Sequence, residues 1–299
     1  MPEQTAYADG ASAYRPRRSV LYMPSSNERA LEKAKTLPVD ALILDLEDAV
    51  APDAKDAARE NACAAARSGE YGRRELTIRV NGLGSRWHDA DIAEAAAAGP
   101  DAIVVPKVNS ADEVRALVAA MEAAGAPDHT RLWAMVETPV AVLHAEEIAR
   151  ASDRLACLVL GTNDLYKEIG ATFAPGRAAV QTSLQLVLLA ARAAGVTVVD
   201  GVFNDVKDTD GFLAEASQGR ELGFDGKTLI HPGQVEPANE VFAPDAAQVE
   251  DARAVIAAFE AAEAEGRGVA TLNGRLIESL HVDTARKVLA TADAIAALS

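Results

Sequence analysis

A chain of 299 residues with 49% hydrophobic and 25% charged residues has an ordinary globular composition. It is long enough for one α/β barrel of about 250 residues. Its formal charge of -16 at pH 7 repels phosphate backbones and excludes a nucleic-acid partner or an anionic membrane surface, leaving only a small anion held by a local basic group. No apolar run approaches the roughly 18 residues of a membrane span, and the first residues carry no apolar core of a secretory signal. Cys63 and Cys157 stand far apart and outside any CxxC pattern, as in a reduced, cytoplasmic protein.

Residues 1–16 read as a loose N-terminal arm. Short apolar runs then alternate with Ala-rich helical stretches: Ser19–Pro24, Ala41–Glu47, Leu76–Asn81, Ala102–Lys107, Leu132–Glu137, Cys157–Asp164, Thr197–Val202 and Lys227–His231. Nearly continuous hydrophobic runs are the mark of parallel strands buried on both faces. Eight of them in regular alternation predict an α/β fold, a (β/α)8 TIM barrel over residues 17–244. Residues 245–299 form a C-terminal helical extension, with stretches 245–265 and 280–297 joined by an exposed hairpin or loop. Closure of the barrel does not require this tail, so it packs outside or reaches a neighbouring subunit.

The polar residues gather at the C-terminal ends of the runs: Glu47, Arg79, Asn81, Lys107, Glu137, Asn163, Asp164, Asp200 and His231. In a barrel that end is the catalytic face. In the first loop, Ser25-x-x-Glu28 has the spacing of a capping box and predicts a helix from about Ser26. Arg29 and Lys33 then lie one turn apart on it. With Arg17 and Arg18 they form a candidate anion site; a solvated face is the other reading. Arg79 offers a planar fork for a substrate carboxylate, or else a bridge to Glu47 or Asp48. Glu137 and Asp164 end neighbouring runs, and strands about 4.8 Å apart bring their carboxylates together. Two such charges need a cation or a shared proton, and Mg2+ suits them. A helix cap for one and a pairing with Lys107 for the other stays open. Thr138 and Pro139 read as N-cap and first residue of a helix. His231 lacks a metal-ligand partner at any recognised spacing. No GxSxG, P-loop or dinucleotide-binding glycine pattern is present.

The segments RRSVLYMP, LDLEDAVAPDAK, IRVNG, VPKV, MVETP, LGTNDL, DGVFNDVKD, GFDGKTLIHPGQ and GRLIESLHVDTARKVL together resemble the CitE-like branch of the HpcH/HpaI aldolase family. That branch holds citryl-CoA, malyl-CoA and citramalyl-CoA lyases and a malyl-CoA thioesterase. The resemblance implies that Glu137 and Asp164 bind Mg2+ and that Arg79 holds the substrate's carboxylate. It implies that Tyr22, Arg29 and Lys33 contact the CoA thioester, and that Ile230 and His231 make a further substrate contact. It also implies a homotrimer or hexamer in which the C-terminal segment completes a neighbour's site. Lyases of the family carry Asp in that segment as acid at the acetyl carbon. Here GRLIE places Glu278 there, one methylene longer.

The resulting expectation is a Mg2+-dependent lyase. It would split a carboxylated 3-hydroxyacyl-CoA (malyl-, citramalyl- or citryl-CoA) into an acyl-CoA and a 2-oxo acid, with Glu278 and Arg79 as its catalytic residues. The alternatives are a (3S)-malyl-CoA thioesterase and a non-catalytic or carrier-dependent subunit of a citrate lyase complex. The stretches GTNDLYKEIGA and LLAARAAGVTVVDGVFND look closest to the thioesterase-like members.

Overall fold

The computed structural model describes residues 15–298; the expected arm over residues 1–16 lies, as far as residue 14, outside them. Eight strands follow in order: β1 (Ser19–Pro24), β2 (Ala41–Asp45), β3 (Glu75–Arg79), β4 (Ala102–Val105), β5 (Arg131–Val136), β6 (Leu155–Leu160), β7 (Thr197–Asp200) and β8 (Gly226–Leu229). They form a closed barrel in sequence order, all parallel, with β1 paired to β8. At least one helix follows every strand. The expected (β/α)8 barrel is therefore the fold, and its strands stop before several of the polar residues that end the sequence runs.

Alternation along the strands sorts the side chains into two layers. Leu21, Leu42, Leu44, Ile78, Ile103, Leu132 and Leu158 belong to the larger core outside the barrel. Val20, Ala41, Ile43, Ala102, Val104, Trp133, Met135, Cys157, Val159 and Val199 fill the interior. Small Ala41 and Ala102 share that interior with a fully buried Trp133, as dense packing in a narrow barrel requires.

Arg17 and Arg18 precede β1 and lie at the N-terminal end of the barrel. Arg17 donates to both oxygens of Glu75 at 2.7 Å, and Arg18 to both of Asp40 at 2.8 Å. They close the floor and do not join Arg29 and Lys33 in an anion site. The first loop needs a second correction. The N-cap of the helix Glu28–Ala34 is Asn27, whose side chain accepts from the Ala30 N–H. Ser25 stands two residues before that cap; its N–H extends the barrel pairing to the Asp45 carbonyl at 3.1 Å, and its buried hydroxyl has no partner.

Residues Arg17–Phe242 form one compact unit, and residues from Ala243 onward belong to a second. In the second, helices Ala246–Ala264 and Ser279–Leu298 enclose a small apolar core of Val255, Phe259, Ile277 and Val282. Between them β9 (Ala270–Leu272) and β10 (Arg275–Ile277) pair antiparallel. Their two-residue turn is Asn273-Gly274, with φ of 51° and 78°, the conformation that Asn-Gly supplies at a hairpin. No described helix is long and apolar enough to cross a membrane.

One ion cluster pins the last two strands to their helices. Lys227 is wholly buried and donates to Asp200 at 3.1 Å, to Glu215 at 2.7 Å and to the Gly201 carbonyl at 2.6 Å. Arg177 donates to both Asp200 oxygens at 2.7 and 2.8 Å. Burial alone would raise the Asp200 carboxyl; Lys227 and Arg177 together hold it below the usual range. Removing one partner leaves a buried carboxylate short of charge, which costs more than the intact pair contributes. Lys227→Met should therefore lose about 3–5 kcal/mol of stability, read as a lower urea midpoint at unchanged slope. A midpoint within error of the parent would show that the cluster is solvated.

Candidate functional site

The interior layer ends in side chains that are no longer apolar. Continuing the alternation of Val20, Ile43, Thr77 and Met135 places Tyr22, Asp45, Arg79 and Glu137 at the C-terminal mouth. β2 and β3 are in register at Asp45 and Arg79. The guanidinium of Arg79 meets the facing carboxylate as a fork, Nε to Oδ1 at 2.7 Å and Nη2 to Oδ2 at 2.6 Å. Nη1 reaches Glu47 at 2.8 Å and Asp48 at 3.6 Å. The ring of Tyr22 lies 4.7 Å from the guanidinium carbon, close enough for a cation–π contact. Burial works against the charge on Arg79, but Asp45 and its neighbours outweigh it and raise the guanidinium well above its usual pKa.

Asp45, which is absent from the sequence expectations, organises the rim. Its oxygens also accept the N–H groups of Glu47 at 2.9 Å and Ala49 at 3.1 Å. The signal was available: ALILD and ELTIR are neighbouring strands whose last residues have opposite charge.

The second half of the site comes from β4, β5 and β6. Glu137 follows β5 and is 3% exposed. The backbone N–H of Lys107 donates to its Oε1 at 2.9 Å, and Lys107 has a left-handed φ of 52°. A non-glycine residue in that region is costly and tends to persist where function requires it. Asp164 is not at a strand end as expected. β6 stops at Leu160, and Asp164 lies in the first turn of the helix Thr162–Glu168. Its carboxylate pairs with Lys107 Nζ at 3.0 Å, the pairing left open from sequence. Thr138 caps the helix Pro139–Leu143, as its position beside Pro139 indicated.

Electrostatics tie the two halves together. Burial, then Asp164 and Glu47, raise the Glu137 carboxyl to about 8, against a partial offset from Arg79. Burial also raises Glu47 to about 7, with Arg79 opposing and Asp48 and Asp45 adding to the rise. Carboxylates crowded out of water in this way call for a cation. Among the described residues no group of three or more His, Cys, Asp or Glu side chains is placed to enclose a metal. A cation at Glu137 and Asp164 would therefore complete its shell with water or ligand oxygens, the habit of Mg2+.

Other sequence-selected residues remain apart from this cluster. Arg29 and Lys33 are exposed on the helix after β1. Ile230 and His231 are exposed after the adjoining β8. No described hydrogen bond or ion pair joins these four to Arg79, Glu137 or Asp164. The Nδ1 of His231 accepts the Gly233 N–H at 3.0 Å and caps the short turn Pro232–Gln234. Glu278 belongs to the C-terminal unit, exposed between β10 and the last helix, with its N–H donating to His281 Nδ1 at 3.0 Å.

Comparison with known proteins places these residues in a lineage. The family model described as HpcH/HpaI aldolase/citrate lyase matches residues 18–232. A (3S)-malyl-CoA thioesterase of Cereibacter sphaeroides is 53% identical, over 94% of this chain and 96% of its own. The citrate lyase subunit beta of Escherichia coli is 37% identical, over 93% and 94%. Among solved structures, CitE of Mycobacterium tuberculosis in complex with magnesium, acetoacetate and coenzyme A is 29% identical. It has a TM-score of 0.75, over 94% of this chain and 99% of that one. The match spans the barrel and all the rim residues described above, and the chain belongs to the HpcH/HpaI aldolase/citrate lyase family.

Proposed function

We propose that this protein is a Mg2+-dependent hydrolase of a carboxylated 3-hydroxyacyl-CoA thioester, with (3S)-malyl-CoA as substrate and malate and CoA as products. The observation that carries it is the buried carboxylate Glu137, which lies in the field of Asp164 and of the Arg79 fork at the mouth of the barrel. The 53% identity to a named (3S)-malyl-CoA thioesterase, nearly end to end, puts hydrolysis ahead of the lyase reading that the motifs alone favoured.

The donors suit the metal. Both are hard carboxylate oxygens, and a Cβ at Gly161 would overlap the Glu137 carboxylate. Gly161 has an unstrained φ of -99°, so glycine serves close approach here and not an unusual backbone. The bound Mg2+ would supply Lewis-acid polarisation of a substrate oxygen. Glu137, just after β5, and Asp164, in the first turn of the helix after β6, would hold that centre. Arg79, gripped by Asp45 on two nitrogens and stacked on Tyr22, turns only Nη1 toward a substrate carboxylate. Arg29 and Lys33, exposed on the neighbouring loop, offer positive charge to the CoA end. A homotrimer or hexamer would let the C-terminal unit and Glu278 serve a neighbour's site.

Cleavage is the second reading. It is favoured by the identity to citrate lyase subunit beta and by an acid, Glu278, at the position where related lyases hold one. Both readings use the same metal and Arg79; they part at the atom that reacts. Hydrolysis places water on the thioester carbon, whereas cleavage breaks the bond between C2 and the hydroxyl-bearing C3 and needs an acid for the acyl-CoA enolate that results. An intact carboxylate pair and arginine argue against a non-catalytic subunit.

Purified protein given (3S)-malyl-CoA and Mg2+ should release one thiol per malate and no glyoxylate, measured with separate thiol and 2-oxo-acid reporters. Stoichiometric glyoxylate would replace hydrolysis with cleavage. Glu137→Gln and Asp164→Asn should each abolish the reaction with the fold retained; full turnover after exhaustive chelation would remove the metal from the account. Gly161→Ala should keep its circular dichroism but lose about 10–100-fold in Mg2+ affinity, as supporting residues around metals do. Because Glu137 is raised to about 8, Mg2+ must displace its proton below that pH. Affinity for Mg2+ should then climb about tenfold per pH unit toward pH 8 and level off above it. A flat profile from pH 6 to 9 would show that Glu137 is ionised throughout.

A further inference from the structure

The segment LDLEDAVAPDAK ends in Lys55, the first residue of the helix Lys55–Ser68. Neither helix nor burial favours a lysine there. A cation at a helix N-terminus opposes the macrodipole. This one is also only 6% exposed, and a charge out of water is tolerated only where its donors are met. Here they are met by neutral oxygens. The ammonium donates to the Leu46 and Glu47 carbonyls, each at 2.9 Å, and to Asn81 Oδ1 at 2.6 Å. It also lies 5.0 Å from the centre of the Trp87 ring. An ammonium has three N–H groups, so its hydrogen bonds go to main chain and to one amide.

Both ends of this grip lead to Arg79. Leu46 and Glu47 follow Asp45, the clamp of Arg79, and the side chains of Glu47 and Asp48 face Arg79 Nη1 at 2.8 and 3.6 Å. Asn81 stands two residues after Arg79 and donates to the same Leu46 carbonyl at 3.1 Å. Asp91 anchors Asn81 in turn, accepting its N–H at 3.0 Å and its side-chain amide at 2.6 Å. Asp91 is fully buried and meets Arg59 at 3.1 Å. Lys55 thereby bolts the loop after β2 to the chain leaving β3.

We infer that Lys55 is a positioning residue for substrate recognition. It fixes the main chain of Leu46 and Glu47, and so sets how Glu47 and Asp48 stand against the arginine nitrogen that faces the substrate's carboxylate. Asp45 occupies Nε and Nη2. The attraction that Nη1 offers a ligand depends on how closely the two other acids cover it. A loop free to shift would let them settle on the guanidinium in place of the ligand. Held at the main chain, they keep one arrangement, and the substrate meets an arginine that is already oriented. This rests on the Arg79 role proposed above and not on the metal, since the bonds of Lys55 reach neither Glu137 nor Asp164.

Calorimetry on the full-length protein tests it, with Mg2+ titrated first and L-malate then titrated into the Mg2+-saturated protein. Lys55→Met should bind malate about tenfold weaker than the parent and Mg2+ within about twofold of it. Asn81→Ala keeps the charge of Lys55 but removes an anchor, and should weaken malate about threefold. It takes the place of Lys55→Met throughout should that variant fail to fold. In an Arg79→Lys background the fork is gone, and Lys55→Met should cause no further loss of malate binding. A lysine that only supports the fold would weaken both ligands. One that acts only through its charge would impose the same malate loss in the Arg79→Lys protein and leave Asn81→Ala like the parent. Either pattern, or an unchanged malate affinity in Lys55→Met, overturns the positioning role and leaves Arg79 as assigned. An Arg79→Lys protein that binds malate as tightly as the parent would overturn the role of Arg79 itself, and that of Lys55 with it.

Discussion

Glu137 is a carboxylate with 3% of its surface exposed, at the top of an apolar barrel and in the field of Asp164 and Glu47. Removing a carboxylate from water is unfavourable, and placing it beside others of like charge is more so. Such a group must keep its proton or gain a cation. The rest of the rim follows from that need. Lys107 adopts a left-handed backbone to donate its N–H to Glu137 and its ammonium to Asp164. Gly161 gives up its side chain so that the carboxylate can lie against the β6 turn.

Arg79 answers the same problem across the mouth. Three acidic side chains lie on its guanidinium, Asp45 as a two-point clamp, Glu47 on the remaining nitrogen and Asp48 at 3.6 Å. An arginine so enclosed is oriented before any ligand arrives, which saves the entropy of ordering it later. Its remaining nitrogen, Nη1, rests on Glu47 at 2.8 Å. In a protein with a formal charge of -16, the proposed binding of a multiply anionic thioester would fall to a few cations: Arg79, the metal, and the exposed Arg29 and Lys33.

Much of this was legible in the sequence, and the parts that were not have physical reasons. Parallel strands buried on both faces read as unbroken apolar runs, so eight strands and their closure could be inferred from spacing. Their ends could not, since a polar residue after Val136 or Leu160 looks the same on the last rung of a ladder as on the first turn of a helix. For that reason the run in the sequence reaches Asp164, whereas the strand stops at Leu160 and Asp164 opens the helix. The Ser25-x-x-Glu28 spacing was real, but Ser25 continues the pairing of β1 and Asn27 caps the helix instead. Arg17 and Arg18 are close to Arg29 in the chain, yet the whole of β1 separates them from the mouth. The role of Asp45 is hidden in the sequence, because a single acid ending a run gives no hint of its cross-strand partner until the register of β2 on β3 is known.

Diffraction from crystals soaked in Mn2+, collected at the manganese absorption edge, would test the central claim most directly. One anomalous peak is expected at the barrel mouth, about 2.1 Å from an oxygen of Glu137 and from one of Asp164. A fully occupied manganese site elsewhere, or no peak between these two carboxylates at saturating metal, would contradict it.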